Sequence, residues 1–458
     1  MDADVIVIGA GFAGVAAARD LTEAGHRVVV LEARDRIGGR TWYRQIPGTE
    51  LWAEYGGMFI SRETQPSLAA ELSRYGVGVT EPGEPEVIGW VREDRREEGT
   101  APIDRIREQL SRSSLTDALE RTAKAFASEG REALTQLDVP SAGWVDGLGA
   151  PDEAADYLRA FLAAMGGAAV EKTSILPLLW DMIELDYTPV DAYVDLGELI
   201  TDGTKALIDA MAGGLDVRFG SVVTAVATND AGVTVTLADG PTLEAPAAIV
   251  ALPLNVWADV AFDPPLAPPK QKASTEGHPG EVSKVIAIVG GAPAGYLGAG
   301  WGTPINAGFV PKQSDGAQLF MGFSVQDRVD LGDDAAVAAA VRAHLPDAEV
   351  VRTSGHDWVT DPFSKGTWLA VPPPWFSDRT FEQLREPEGR LLFAGSDIAG
   401  EGAGWIEGAV GSGREAAGAA AAIRSTPPSI NRRPAPVSLA WPRARSSIAG
   451  EGSSSVTS

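Results

Sequence analysis

Apolar and polar positions along the chain follow two rhythms. A continuous β-branched run, Val5-Ile6-Val7-Ile8, reads as a buried strand. It passes through Gly9-Ala10-Gly11-Phe12-Ala13-Gly14 into an alanine-rich stretch with helical spacing, and a second strand, Val28 to Leu31, ends on Glu32. Helical patterns are predicted over 67–75, 103–128, 152–166 and 334–344, and strands over 221–228, 233–237, 247–252, 282–289 and 318–323. A last strand, 391–394, leads through Gly395-Ser396-Asp397 into a helix ending near Ile423. Strands joined by helices at both chain ends, around a looser middle, predict an α/β protein whose main sheet is assembled from separated pieces.

The glycines of the first turn carry chemistry. Gly9 permits the tight turn, Gly11 lets the backbone approach a pyrophosphate, and Gly14 lets helix and strand pack closely. The helix start offers unpaired N–H groups to that phosphate. Glu32, about twenty residues further on, can accept hydrogen bonds from ribose hydroxyls. Strand, glycines, helix, strand and acid in this order predict a dinucleotide site.

The chain has 458 residues, enough for two interleaved domains, with 44% hydrophobic and 22% charged residues, as in a globular enzyme. A formal charge of −25 argues against nucleic acid or anionic membranes as partners. There is no cysteine, which excludes disulfides and thiolate chemistry. The four histidines (His26, His278, His344, His356) lack ligand spacing, so no metal site is expected. No signal peptide and no bilayer-spanning run is read, and a cytoplasmic protein is expected. From Ser425 the composition turns to Ser, Pro and Arg, and residues 425–458 are expected to form a disordered tail.

The run Arg34-Asp35-Arg36-Ile37-Gly38-Gly39-Arg40-Thr41 resembles the glycine-arginine extension of the flavin monoamine oxidases, where this loop wraps the FAD diphosphate. The terminal block GRLLFAGSDIAGEGAGWIEGAVGSGREAA is similar to that family's second FAD-binding segment. The resemblance implicates Gly395, Ser396, Asp397, Trp405 and Ile406 there, Glu54-Tyr55-Gly56-Gly57-Met58-Phe59 in the block after the first helix pair, and Val222-Val223 beside the adenine. It implies a Rossmann-like FAD-binding domain built from 1–78, 203–255 and 356–424, and a mixed α+β substrate-binding domain from 79–202 and 256–355. This is the architecture shared by amine oxidases and p-hydroxybenzoate hydroxylase. LAAELSRYGV (68–77), EGHPGEVSK (276–284) and HDWVTDP (356–362) are similar to the branch of the family that oxidises 6-hydroxy-L-nicotine. Two pocket groups of that branch, an asparagine near Ala164 and a tyrosine near Asn306, are replaced here.

By the same resemblance, Lys284 is the lysine that holds a water against flavin N5. Trp368 and Trp405 are the two aromatic walls of the amine cage, and Trp358 packs near the flavin. Thr367 stands where covalent members place cysteine, so FAD is expected without a covalent link. The implied reaction moves a hydride from the α-carbon of a small amine to the flavin, giving an imine, with O2 or another acceptor taking the electrons. Related enzymes are often homodimers. The rivals are an L-amino-acid oxidase, which needs a pocket arginine the sequence does not offer, a flavin desaturase, and a flavin-binding protein without turnover.

Overall fold

The computed structural model describes residues 1–81, 83–93, 95–128, 135–184, 188–192, 197–312, 318–326 and 328–425. The tail expected from residue 425 lies, from 426 on, outside the described residues.

The chain ends meet in one parallel sheet. Its strands are β1 (Val5–Ile8), β2 (Val28–Leu31), β3 (Asp216–Arg218), β4 (Ala247–Val250) and β5 (Leu391–Phe393), in the spatial order β3-β2-β1-β4-β5. A parallel sheet must be covered on both faces, which is why β1, β2, β4 and β5 are apolar throughout, while the edge strand β3 keeps Asp216 and Arg218 in solvent. Val5, Val7 and Val30 face helix α1 (Phe12–Glu23) and helix α2 (Ile406–Ser425). Ile6, Ile8, Val29 and Leu31 face the opposite way, against Trp257, Trp375 and a small sheet that includes Val226 and Val235. Burying each such side chain contributes about 1.5–3 kcal/mol.

Helices α1 and α2 touch backbone to backbone: a Cβ added to Gly413 would lie 2.3 Å from the Ala13 carbonyl oxygen. One buried ion cluster ties them to the helix Pro66–Tyr75, because the Glu71 carboxylate pairs with both Arg19 and Arg414 and has no solvent exposure. Glu71→Ala takes the acid away from buried Arg19 and half-buried Arg414, leaving Asp20 at the margin as their remaining partner. The expected cost is about 3–5 kcal/mol, checked as a fall in the urea midpoint at unchanged slope.

A second sheet of seven strands stands beside the first. Its order runs Glu349–Ser354, Ser283–Gly290, Gln318–Ser324, Ala307–Val310, Tyr296–Trp301, Val87–Arg92, Arg95–Glu98. The hairpin at 87–98 joins this sheet by parallel pairing with Tyr296–Trp301. Helices Thr100–Ser111 and Asp152–Gly166 pack on its strands.

Two departures from the sequence reading have clear causes. The helix expected over 103–128 is broken into Thr100–Ser111 and Leu115–Ser128. At the break Ser113 Oγ donates to Leu110 O (2.7 Å), a carbonyl an unbroken helix would use, and Ser114 turns both its N–H (3.1 Å) and its hydroxyl (2.9 Å) to Leu148 O of another segment. Strands Tyr296–Trp301 and Ala307–Val310 are not among the strands the sequence pattern predicts. Their glycines make room for large neighbours: a Cβ would lie 2.2 Å from Tyr296 Oη at Gly298 and 2.5 Å from Phe320 Cζ at Gly308.

Candidate functional site

The turn between β1 and α1 is a bare backbone cradle. Gly9 has φ +106°, and a Cβ there would meet Ala251 O at 2.7 Å; one on Gly14 would meet Gly9 O at 1.9 Å. No side chain caps the helix start at Gly11. Gly39 (φ +58°) comes back over it, its would-be Cβ 3.3 Å from Gly11 Cα. Glu32 is buried, with its carboxylate accepting the N–H groups of Ala10 (2.8 Å) and Arg34 (2.9 Å). The Glu32 carbonyl accepts the Ser221 N–H, which brings the strand starting at half-buried Val223 alongside.

Arg40 is the clasp between the two ends of the chain. Its guanidinium donates to Thr367 O (2.5 Å), Ser396 Oγ (3.2 Å) and Asp397 Oδ1 (2.7 Å). Asp397 Oδ2 accepts the Leu254 N–H at 3.1 Å. Burial would raise the Asp397 carboxyl, but the Arg40 charge and these hydrogen bonds hold it below the usual range. Gly395, at φ 152° and ψ 156°, occupies backbone space reserved for glycine, and its N–H is held by Ser412 Oγ.

Two predicted cofactor residues face other partners. Arg34 pairs with Asp361 at 2.7 Å and lies over the Phe363 ring, 5.4 Å from its centre. Trp358 donates its indole N–H to Tyr55 O at 2.8 Å inside a cluster with Trp42 and His356. Trp358 thereby braces the loop at Gly56, where a Cβ would lie only 1.9 Å from Arg40 O. Arg36 shapes the loop itself, donating to the Ile37, Gly39 and Thr41 carbonyls. Next to Gly56, Gly57 donates its N–H to Arg40 O at 3.2 Å.

Lys284 comes from strand Ser283–Gly290, opposite Phe323, and is 3% exposed. Its Nζ donates to Gly56 O (2.8 Å) and lies 3.0 Å from Met58 Sδ. Burial pushes the amine down to about 8, opposed by the Glu54 charge. Glu54 is itself raised by burial, while Thr204 donates its N–H (2.5 Å) and hydroxyl (3.1 Å) to the carboxylate.

Trp368 donates its indole N–H to Met165 O (3.3 Å) and stands edge-on to Phe323, centroids 5.8 Å apart at 85°. Trp405 is 37% exposed, immediately before Ile406 opens α2. The segments carrying these indoles lie side by side, since a Cβ on Gly404 would be 3.7 Å from Leu369 Cβ. The structure thus gathers the glycine cradle, Arg40, Ser396 and Asp397 into one network. Lys284, Met58, Phe323 and Trp368 form a second, joined to the first through Gly56.

Comparison with known proteins shows the family. The family model of the flavin containing amine oxidoreductases matches residues 12–421. The chain belongs to this family. It is 34% identical over 419 residues to (S)-6-hydroxynicotine oxidase of Paenarthrobacter nicotinovorans, covering 89% of this chain and 96% of that one. It is 32% identical to pseudooxynicotine dehydrogenase of a Pseudomonas species, over 91% and 85% of the two chains. A solved structure of putrescine oxidase bound to putrescine superposes with a TM-score of 0.80 at 26% identity, over 93% of this chain and 100% of that one.

The protein is therefore a flavin-dependent oxidoreductase acting on amines, and its cofactor is FAD. With no cysteine in the sequence, FAD is held without a covalent link. The residues present fit it. The helix start and two facing glycines leave open backbone for a diphosphate, and Thr367 Oγ1 and His278 Nε2 beside Arg40 are buried without a partner among the described residues. No helix among the described residues is long and apolar enough to cross a membrane.

Sequence reasoning missed Phe323 and Gly167, which position Trp368. A Cβ on Gly167 (φ +69°) would sit 2.4 Å from the Trp368 indole nitrogen. The only sequence signal was the pair Gly166-Gly167 at the end of a helix. Gly167→Ala is expected to displace the indole, lowering kcat/KM for the amine roughly tenfold to hundredfold with FAD content unchanged. Steady-state kinetics beside the flavin absorbance of the purified variant checks this.

Proposed function

We propose that this enzyme oxidises a small, flat amine between Trp368 and Trp405, on a cofactor held by Gly11, Gly39, Glu32, Arg40, Ser396 and Asp397. The observation that carries this reading is Lys284: a buried amine on Gly56 O, at the seam between the cofactor network and the Phe323–Trp368 wall. The chemistry FAD supplies when bound is acceptance of a hydride from the amine α-carbon, leaving an imine, and delivery of the electrons to O2 or another acceptor.

The chain's own residues do the rest. The α1 start and the open glycine backbone take the diphosphate, Glu32 the ribose hydroxyls, and the strand at Val223 the adenine side. Arg40 locks the first and last segments together. The indoles exclude water and align the neutral amine, whose nitrogen suits their π-faces as positive charge develops. Lys284, when protonated, offers positive charge to dioxygen as it gains electrons.

The substrate class follows from the wall. Ala164 and Met165 line the helix end that holds Trp368, so no amide side chain stands at position 164 to bind a ring hydroxyl. Asn306 is spent on structure, accepting the Val325 N–H and donating to Gly300 O. Together with the nicotine-type substrates named for two relatives, this favours a small amine bearing an aromatic ring without a hydroxyl requirement. In this reading 1–78, 203–255 and 356–424 form the cofactor domain and 79–202 with 256–355 the substrate domain. Zero cysteines fit a cytoplasmic location.

The test is anaerobic mixing of the FAD-loaded enzyme with a panel of aryl-substituted, aliphatic and diamine substrates. Rapid bleaching of the flavin band by aryl-substituted amines is expected. Bleaching only by diamines would move the substrate class, and silence with every amine would sink the proposal.

A further inference from the structure

A buried histidine behind Arg40 is not used by the chemistry above. The His278 ring has no exposed surface, and its Nδ1 accepts the Gly280 N–H at 3.1 Å, which places the ring proton on Nε2. Burial pushes His278 down to about 4, with Asp397 opposing and Arg40 assisting, so the ring is neutral at physiological pH. Its Nε2 has no hydrogen-bond partner among the described residues. It stands 3.8 Å from Asp397 Oδ2, beyond hydrogen-bond range.

The ring is aimed rather than adrift. Asn255 accepts the His278 N–H (2.8 Å) and donates to its carbonyl (3.0 Å). Glycines flank the ring: a Cβ at Gly280 would lie 2.8 Å from its Cε1, and one at Gly366 3.4 Å from it. The Gly280 carbonyl in turn accepts the Thr367 N–H at 3.0 Å, and the segment continues into Lys284. A donor buried without an acceptor is costly, so a scaffold that holds one this firmly calls for an acceptor within reach.

We propose that His278 is a positioning residue for the cofactor grip: with FAD bound, its Nε2–H closes onto Asp397 Oδ2. The closure is a shift of roughly 1 Å. It fixes the carboxylate that orients Arg40, and so couples the Thr367–Trp368 wall and the Lys284 segment to the diphosphate end of the site. This rests on the reading that Arg40 and Asp397 hold FAD.

Two measurements on the full chain test it. FAD affinity is read by titrating the apoprotein and following flavin fluorescence. Ring N–H protons are read by NMR after 15N-histidine labelling, which is tractable with four histidines in the sequence. His278→Phe is expected to weaken FAD binding roughly tenfold to hundredfold, and His278→Gln, whose amide N–H can take the Nε2 place, to return within about threefold of the parent. Adding His278→Phe to Asp397→Asn is expected to cost nothing more. In the parent protein a downfield Nε2–H resonance is expected on loading with FAD, absent in Asp397→Asn.

If His278→Phe binds FAD like the parent while Asp397→Asn does not, this inference is wrong and the grip stands. If Asp397→Asn also keeps its affinity, the assignment of the grip itself fails. Should the phenylalanine variant not fold, the glutamine variant and the proton spectrum decide. A His278 Nε2–H resonance unchanged between apoprotein and loaded protein overturns the inference.

Discussion

Gly14→Ala is expected to yield protein that purifies nearly colourless and binds added FAD roughly tenfold to hundredfold more weakly than the parent. The new methyl would lie 1.9 Å from Gly9 O and 3.1 Å from Gly9 C. Those are backbone atoms of the turn that leaves β1, a strand held between buried β2 and β4, so β1 and α1 must move apart. That movement opens the cradle. Gly11→Ala is the companion experiment, because a Cβ there meets nothing nearer than Gly39 Cα at 3.9 Å. The fold should survive that change, and any loss of FAD would report direct obstruction of the diphosphate. The flavin-to-protein absorbance ratio and a thermal melt of each variant separate the two effects. A yellow Gly14→Ala protein with parental affinity would show that the cradle is not where the diphosphate lies.

Lys284→Met should do the opposite, leaving FAD bound while slowing its reoxidation by O2 roughly hundredfold. Methionine fills a similar volume, and Gly56 O loses only one donor. Reduction by amine should change little, since the indole walls are untouched. The sign of the pH dependence follows from the direction of the lysine's shift. Burial pushes Lys284 down to about 8, so it is cationic below that pH and neutral above it. Reoxidation by the parent enzyme should therefore fall as pH rises through about 8, with the Glu54 carboxylate as the other titrating group nearby, whereas the methionine variant should be slow and flat across the same range. Stopped-flow mixing of photoreduced enzyme with O2 at several pH values checks both statements. Equal reoxidation rates would remove Lys284 from its role.

What could be read from the sequence was whatever short-range pattern records. The β1-turn-α1 unit, Glu32 and the terminal Gly395-Ser396-Asp397 turn all depend on local backbone geometry. The structure bears out their placement at one sheet, β5 pairing in parallel with β4 beside β1. Family resemblance is the ground for proposing Lys284 and the two tryptophans as site residues, since periodicity alone would leave them as a strand lysine and two structural indoles. What stayed hidden is long-range. That Arg34 turns to Asp361, that Arg40 clasps Thr367 and Asp397, and that Glu407 takes the N–H groups of Ser67 and Leu68 are pairings across some 330 to 360 positions, with no trace in local composition. The role of Gly298 and Gly308 is hidden for a related reason: the groups that require them, Tyr296 Oη and Phe320, reach them only in the folded sheet.

The most direct measurement is a structure of the protein loaded with FAD. The expected result is one FAD, its diphosphate at Gly11 and Gly39 under Arg40, and its reactive ring edge beside Lys284 with Trp368 and Trp405 on the substrate face. A ring system lying away from Lys284 and both indoles would contradict the account.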